Sequence, residues 1–418
     1  MSRRAVLAAG AGAAGLAAAG GVAAAVTGSS TRPPSTAGAH ARAAGTGTGI
    51  LVLITCYGGN DGLNTVVPAA DPAYQAARPT LGYHPAEVLP LADGLGLNPR
   101  LSGLHTRWAA GQLAVVRGVG YPDPTLSHFA SMDVWQTGSP GGLGTGWLGR
   151  WLDKAGRDPL QAISLGATLP PELRGSTAAA TAITGDTITL PQRPALLAGW
   201  SACCAPGPDR PDLAAAVAAS GADLLKVRSS LASLLGSATA SSTPGTAKPG
   251  VAQAAGAAAG GLAAQMAVVA RLIAAGAPTR VYQVSMASFD THADEKATHE
   301  RLLGELDAGI TALLDGVAAT PRAGDVVAVT VSEFGRRPAQ NASGGTDHGT
   351  AAPMLVAGHG VKGGLYGDEP SLGRLDAAGN LVLTTDFRSV YATLLDRVVG
   401  ADPAAVLGGT FPQLGFVA

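Results

Sequence analysis

The sequence predicts an α/β protein built on a mostly parallel central sheet. Apolar runs rich in Val, Ile and Leu recur along the chain, as at Gly49–Thr55 and Val326–Val331, and read as strands covered on both faces. Longer stretches of helical periodicity separate them, as at Leu262–Ala275 and from Asp294 to about Val317. Polar, glycine-containing motifs follow several of the strand runs. In a parallel α/β sheet, ligands bind outside the carboxyl ends of the strands.

The chain opens with Ser2-Arg3-Arg4-Ala5-Val6-Leu7, a twin-arginine pattern. The Ala/Gly-rich run from Ala5 to about Val26 is weakly hydrophobic, which suits a twin-arginine export signal better than a transmembrane helix. Ala39-His40-Ala41 is a candidate cleavage site, and both cleavage and retention as an uncleaved anchor stay open. Residues 1–41 are therefore assigned to a signal and its approach. Residues 42–418 form a single α/β domain with a low-complexity Ala/Ser/Gly/Thr/Pro insertion at about 237–261. No later stretch is long and apolar enough to span a bilayer. The expected location is extracytoplasmic, secreted or at the cell surface, with membrane contact only through an uncleaved signal.

Among 418 residues the net charge is −1, and aromatics make up 4%, so there is neither a basic stripe nor a set of stacking rings for nucleic acid. Three cysteines, Cys56 and the adjacent Cys203 and Cys204, make no disulfide framework and no zinc-ribbon spacing. They read as buried free thiols.

The elements follow in order. Gly49–Thr55 is a strand ending in Cys56-Tyr57-Gly58-Gly59-Asn60-Asp61-Gly62, where glycines let the backbone turn sharply. Pro68–Pro99 is loop-rich, with a short helix near Ala73–Ala77. Asn98–Ala110 is a helix with Leu101, Leu104 and Trp108 on one face, and Leu113–Val119 is the second core strand. Ser127 then opens a helix, either as an N-cap or as a hydroxyl nucleophile at a site where helix N–H groups favour an anion. His128 beside it is a base, a substrate contact or a packed residue. Helices are expected at Trp147–Gly156 and Pro211–Leu235, and short strands at Gln161–Leu165 and Ala182–Thr184. The strand Arg280–Met286 ends in Ala287-Ser288-Phe289-Asp290-Thr291-His292-Ala293-Asp294, where Asp290 or Asp294 caps the following helix while others bind. Val326–Val331 ends in Ser332-Glu333-Phe334-Gly335-Arg336-Arg337, and Thr346-Asp347-His348-Gly349 precedes a further strand at Pro353–Gly358. Leu381–Thr384 reads as a strand, Asp386–Val399 as a helix capped by Thr385 or Asp386, and Pro403–Ala418 as peripheral. Carboxylates and imidazoles converging from separate loops are what a metal site needs.

The motifs GGNDGLN, SHFASMDVWQTG, FDTHAD and SEFGRR…GTDHG, together with the twin-arginine start, closely resemble the exported bacterial family called domain of unknown function 1501, over about Ile50–Leu395. More distantly, their order resembles the alkaline phosphatase and sulfatase superfamily. That resemblance implies a three-layer α/β/α fold. It implies metal ligands at Asp61, Asp290, His292 and His348, a nucleophile at Ser127 with Thr125 competing, and Glu333 in place of the usual Asp-His pair. Asp347-His348 is a candidate for that pair displaced along the loop, and His299 or Asp294 for a substitute ligand. The chemistry implied is hydrolysis or transfer of phosphate or sulfate esters. One or two divalent ions (zinc, manganese, magnesium or calcium) would activate Ser127 or a water, with Arg336 or Arg337 bracing the anion. The substrate would be an anionic ester or a cell-envelope polymer. The rival reading is a non-catalytic binding or assembly protein at the cell surface, working with a second exported protein.

Overall fold

The structure, a computed structural model, describes residues 47–141, 144–185, 193–205, 207, 211–235 and 261–417. The twin-arginine pattern, the candidate cleavage site and nearly all of the low-complexity insertion lie outside them. The described residues belong to one compact unit, Ala43–Ala418.

Nine strands of the described residues make the central sheet: β1 Ile50–Cys56, β2 Leu113–Gly120, β3 Ala162–Leu165, β4 Thr181–Ile183, β5 Val281–Met286, β6 Val326–Val331, β7 Ala352–Ala357, β8 Gly364–Tyr366 and β9 Thr385–Asp386. Their order is β8-β2-β7-β6-β1-β5-β3-β4, with β9 also paired to β2. β1 sits centrally and pairs in parallel with both β5 and β6, Ile54 lying level with Val284 and Thr330. β7 alone runs antiparallel, against β2 on one side and β6 on the other. Two antiparallel pairings in succession restore direction, so β1, β2, β5 and β6 all end at the same edge. Because β7 is reversed, it begins there.

Every residue of β1 is buried, and its side chains alternate between two cores, as the period of two along a strand requires. Val52 and Ile54 join Leu104, the helix Gly261–Ala274 and the helix Glu295–Val317 on one face. Leu51 and Leu53 join Met132, Trp135, Trp147, Phe387 and Tyr391 on the other. Helices therefore cover both faces, and the fold is the three-layer α/β/α arrangement. Each buried Val, Leu or Ile contributes on the order of 1.5–3 kcal/mol, which is why these runs specify the strands so strongly.

Several local expectations are corrected. The stretch read as loop-rich, Pro68–Pro99, contributes two two-residue strands, Leu89–Pro90 and Gly96–Leu97, to a three-stranded antiparallel sheet completed by Val66–Val67 just before it. Leu381 makes a single bridge to Leu375, and the neighbouring strand is β9, Thr385–Asp386. Neither Asp290 nor Asp294 caps the helix Glu295–Val317 through its side chain. The carbonyls of Ser343 and Gly344 receive the N–H groups of Asp294 and Glu295 instead. Asp386, not Thr385, caps Phe387–Leu394 by accepting from the Arg388 N–H. The helix Pro194–Cys204 was not foreseen. The terminal stretch is not wholly peripheral, since Phe416 is fully buried. Cys56 is buried, but Cys203 is exposed.

Candidate functional site

Four strand ends meet at one edge. After β1 the chain reverses through Gly58 and Gly59, at φ +119° and +77°, conformations that side chains resist. A Cβ on Gly58 would stand 2.4 Å from the Asp290 nitrogen, and one on Gly59 would stand 2.4 Å from the Phe334 ring. The glycines therefore let the loops after β1, β5 and β6 close on one another. After β2 the chain passes through Tyr121–Ser127 into the helix His128–Thr137. After β6 an antiparallel hairpin, Arg336–Gln340 against Thr346–His348, pairs Arg336 with His348.

Three imidazoles surround one carboxylate at this edge. His348 Nε2 lies 3.1 Å and His292 Nε2 3.0 Å from Asp290 Oδ1, and His128 Nε2 lies 3.4 Å from Asp290 Oδ2. The Nε2 atoms of His292 and His348 are 3.0 Å apart. Each ring turns its other nitrogen to an oxygen. His128 Nδ1 meets Glu333 Oε1 at 2.8 Å, His348 Nδ1 meets the Leu126 carbonyl at 2.8 Å, and His292 Nδ1 faces Asp347 Oδ1 at 3.4 Å. A carbonyl or carboxylate there makes Nδ1 the donor, so in the neutral tautomer each ring would turn a bare Nε2 lone pair towards the Asp290 carboxylate. Such facing acceptors repel unless a ring proton or a metal ion lies among them. His128, Asp290 and His348 each offer one ligand atom within 4.8 Å of the other two, and His292 Nε2 adjoins Asp290 and His348 at their edge. The donor set and its outer oxygen partners match a metal centre's two shells. Phe334 forms the floor, its ring 5.0 Å from that of His128 and 4.5 Å from that of His348.

The charges agree with this arrangement. Burial opposes ionisation of Asp290, but the Arg336 and His348 hydrogen bonds and the neighbouring positive charge together outweigh it and hold the carboxyl at about 2. The Glu333 hydrogen bond raises His128 above its ordinary value. The Asn341 amide lowers Asp347 more than partial burial raises it.

The structure brings Asp290, His292, His348 and His128 together, with Glu333 and Asp347 behind the imidazoles. Glu333 is buried and divides itself between the Gly58 N–H and His128. Arg336 does not reach solvent. It donates to the carbonyls of Gly58, Gly59, Phe289 and Thr346 and to Asp290 Oδ1 at 2.7 Å, so it is turned inward and braces the site from within. Asp61 does not join the group. It is fully buried in a bidentate pair with Arg78, near Glu295 and His299. Burial opposes its ionisation, but the guanidinium holds its carboxyl well below the usual range. Asp294 also stays outside the cluster, at the start of its helix. Ser127 is exposed, and its hydroxyl makes no capping bond. Thr125 is half-buried and accepts the Ser127 N–H at 3.3 Å. The sequence reading assigned no part to Arg78 or to the Leu126 carbonyl. A carbonyl carries no sequence signal, and Arg78 lies in the stretch taken for loop.

A family model described as Protein of unknown function (DUF1501) matches residues 50–410. No curated protein matches the chain. The solved structure titled "Crystal structure of Ps i-CgsB in complex with k-i-k-neocarrahexaose" is 10% identical, with 87% of this chain and 72% of that one covered at a TM-score of 0.37. "Structure of BT1596, a 2-O GAG sulfatase" is 12% identical, with 87% and 71% covered at 0.30. Scores this low carry no argument about function.

Proposed function

The chain belongs to the DUF1501 family, and from the geometry of its strand-end site we propose an exported, metal-dependent hydrolase or transferase acting on phosphate or sulfate esters. The convergence of three imidazole Nε2 atoms on Asp290 carries this reading. A bound divalent ion would supply Lewis acidity, lowering the pKa of a hydroxyl or water and neutralising the oxygens of an anionic ester. An imidazole-rich donor set favours zinc-like ions over magnesium or calcium.

The residues divide the remaining work. His128, Asp290, His292 and His348 hold the ion. Glu333, Asp347 and the Leu126 carbonyl fix the three rings, and Arg336 fixes Asp290. Ser127 is the nucleophile. Its hydroxyl is uncommitted at the start of the helix His128–Thr137, and the peptide before it is tied to His348 through Leu126. Thr125 is the competing hydroxyl. The substrate is an anionic ester, free or within a cell-envelope polymer.

Elemental analysis of chelator-free protein tests the site. His292→Ala/His348→Ala should lose the ion bound by the wild type. Ser127→Ala should keep it while abolishing turnover in an ester screen. Equal metal content in the wild type and the double variant would sink the reading. A second reading is a binding or assembly protein. Its support is Phe129, 90% exposed immediately beside His128, which offers a surface to a second exported protein. Retained metal with no turnover of any ester would favour it.

A further inference from the structure

We propose that Asp61, Glu295 and His299 hold a second divalent cation, buried and separate from the strand-end site. One ligand atom from each lies within 4.8 Å of the other two, and all three residues are essentially inaccessible. Glu295 Oε1 and His299 Nδ1 have no hydrogen-bond partner. Leaving such atoms unmet costs on the order of 1–3 kcal/mol each.

Each residue is held from its outer side. His299 Nε2 lies 2.9 Å from Asn60 Oδ1, and the Asn60 amide nitrogen is committed to Thr65. Nε2 therefore carries the proton and Nδ1 presents a lone pair. Glu295 Oε2 accepts from the Thr346 hydroxyl at 2.6 Å, leaving Oε1 turned inward. Arg78 takes one lone pair from each Asp61 oxygen, and a carboxylate has about four such sites. Outer partners that orient a ligand and leave one atom bare are the ordinary surroundings of a metal ligand.

Charge points the same way. With both carboxylates ionised, one guanidinium would leave a negative charge uncompensated in the interior, and a cation or a proton must balance it. An imidazole with two carboxylates suits a zinc- or manganese-like ion. The competing occupant is a proton shared by Glu295 and Asp61, since burial and the Asp61 charge push the Glu295 carboxyl up to about 9. One proton satisfies that pair and leaves His299 Nδ1 bare, whereas one cation satisfies all three. The cluster also reaches the strand-end site along two routes. One runs through Thr346 and Arg336 to Asp290, the other through Asn60, Ser332 and Glu333 to His128.

Metal content of full-length protein loaded with zinc or manganese is the test. The wild type should hold about two equivalents and His292→Ala/His348→Ala about one. Adding Glu295→Gln, which keeps the bond to Thr346, should remove the remaining one. A chelator should lower the Tm of the double variant and leave that of the Glu295→Gln triple variant unchanged, a readout that holds even where one substitution weakens folding. A folded double variant that binds no ion overturns the proposal in favour of the shared proton. So does an equivalent that survives Glu295→Gln. A single ion that survives the histidine substitutions but not Glu295→Gln would leave this site standing and sink the catalytic one.

Discussion

At the scale of single residues, chemistry was easier to read than burial. Asp290, His292 and His348 were recognisable because acids and imidazoles just past strands have few other reasons to cluster. His128 was noticed only as a neighbour of Ser127, and the setting of its ring depends on Glu333, 205 positions away. Arg336 misled, since a guanidinium beside a site suggests an anion clamp and only the folded chain reveals five engagements inside the protein. Glu172 had no local signal at all. Burial raises its carboxyl to about 7, and Oε2 has no partner. The folded state therefore binds a proton more tightly than the unfolded chain. That contribution is complete below the ordinary carboxyl value of 4.5 and is lost as pH rises through about 7. Relative to Glu172→Gln, the wild type should lose up to about 3 kcal/mol between pH 4.5 and 8. Parallel denaturation curves for the two proteins measure the difference, and identical pH profiles would remove Glu172 from the account.

At the scale of elements, the parallel strands were legible because both faces of each are buried, which leaves an unbroken apolar run. The direction of β7 was not, since alternation along a strand is the same read either way. The two-residue strands between Val66 and Leu97 are too short to show a period. The turn after β1 is the element that shapes the site, and Gly59→Ala should disturb it twice. A methyl group there strains the backbone at φ +77° and presses on Phe334, the floor under His128 and His348. The expected cost is about 2–3 kcal/mol of stability with weakened metal binding. Gly379→Ala, at φ +83° with nothing within 4 Å, should show the backbone cost of about 1–2 kcal/mol and normal metal affinity. Melting curves with metal titrations compare the two, and equal metal affinities would show that the floor does not govern the site.

At the scale of the whole molecule, the three-layer architecture follows from how the apolar runs alternate with helices, and the family from motifs spread along most of the chain. What the motifs could not give was their partition in space: Asp61 belongs with Glu295 and His299, not with His348. The twin-arginine pattern carries a prediction for the full chain. Arg3→Lys/Arg4→Lys should keep the protein inside the cell, and fractionation with immunodetection reads this directly. Unchanged export would assign the leader to another route.

The bond between His128 and Glu333 joins segments that meet only when β2, β7 and β6 are in register. Contacts this distant in sequence form late, after the loop-closure cost of the whole sheet has been met. A cation that needs His128 in place can then be captured only by a finished molecule. Under the proposed export by a pathway that moves folded cargo, a filled site would serve as a quality mark, distinguishing completed chains from those still one strand short.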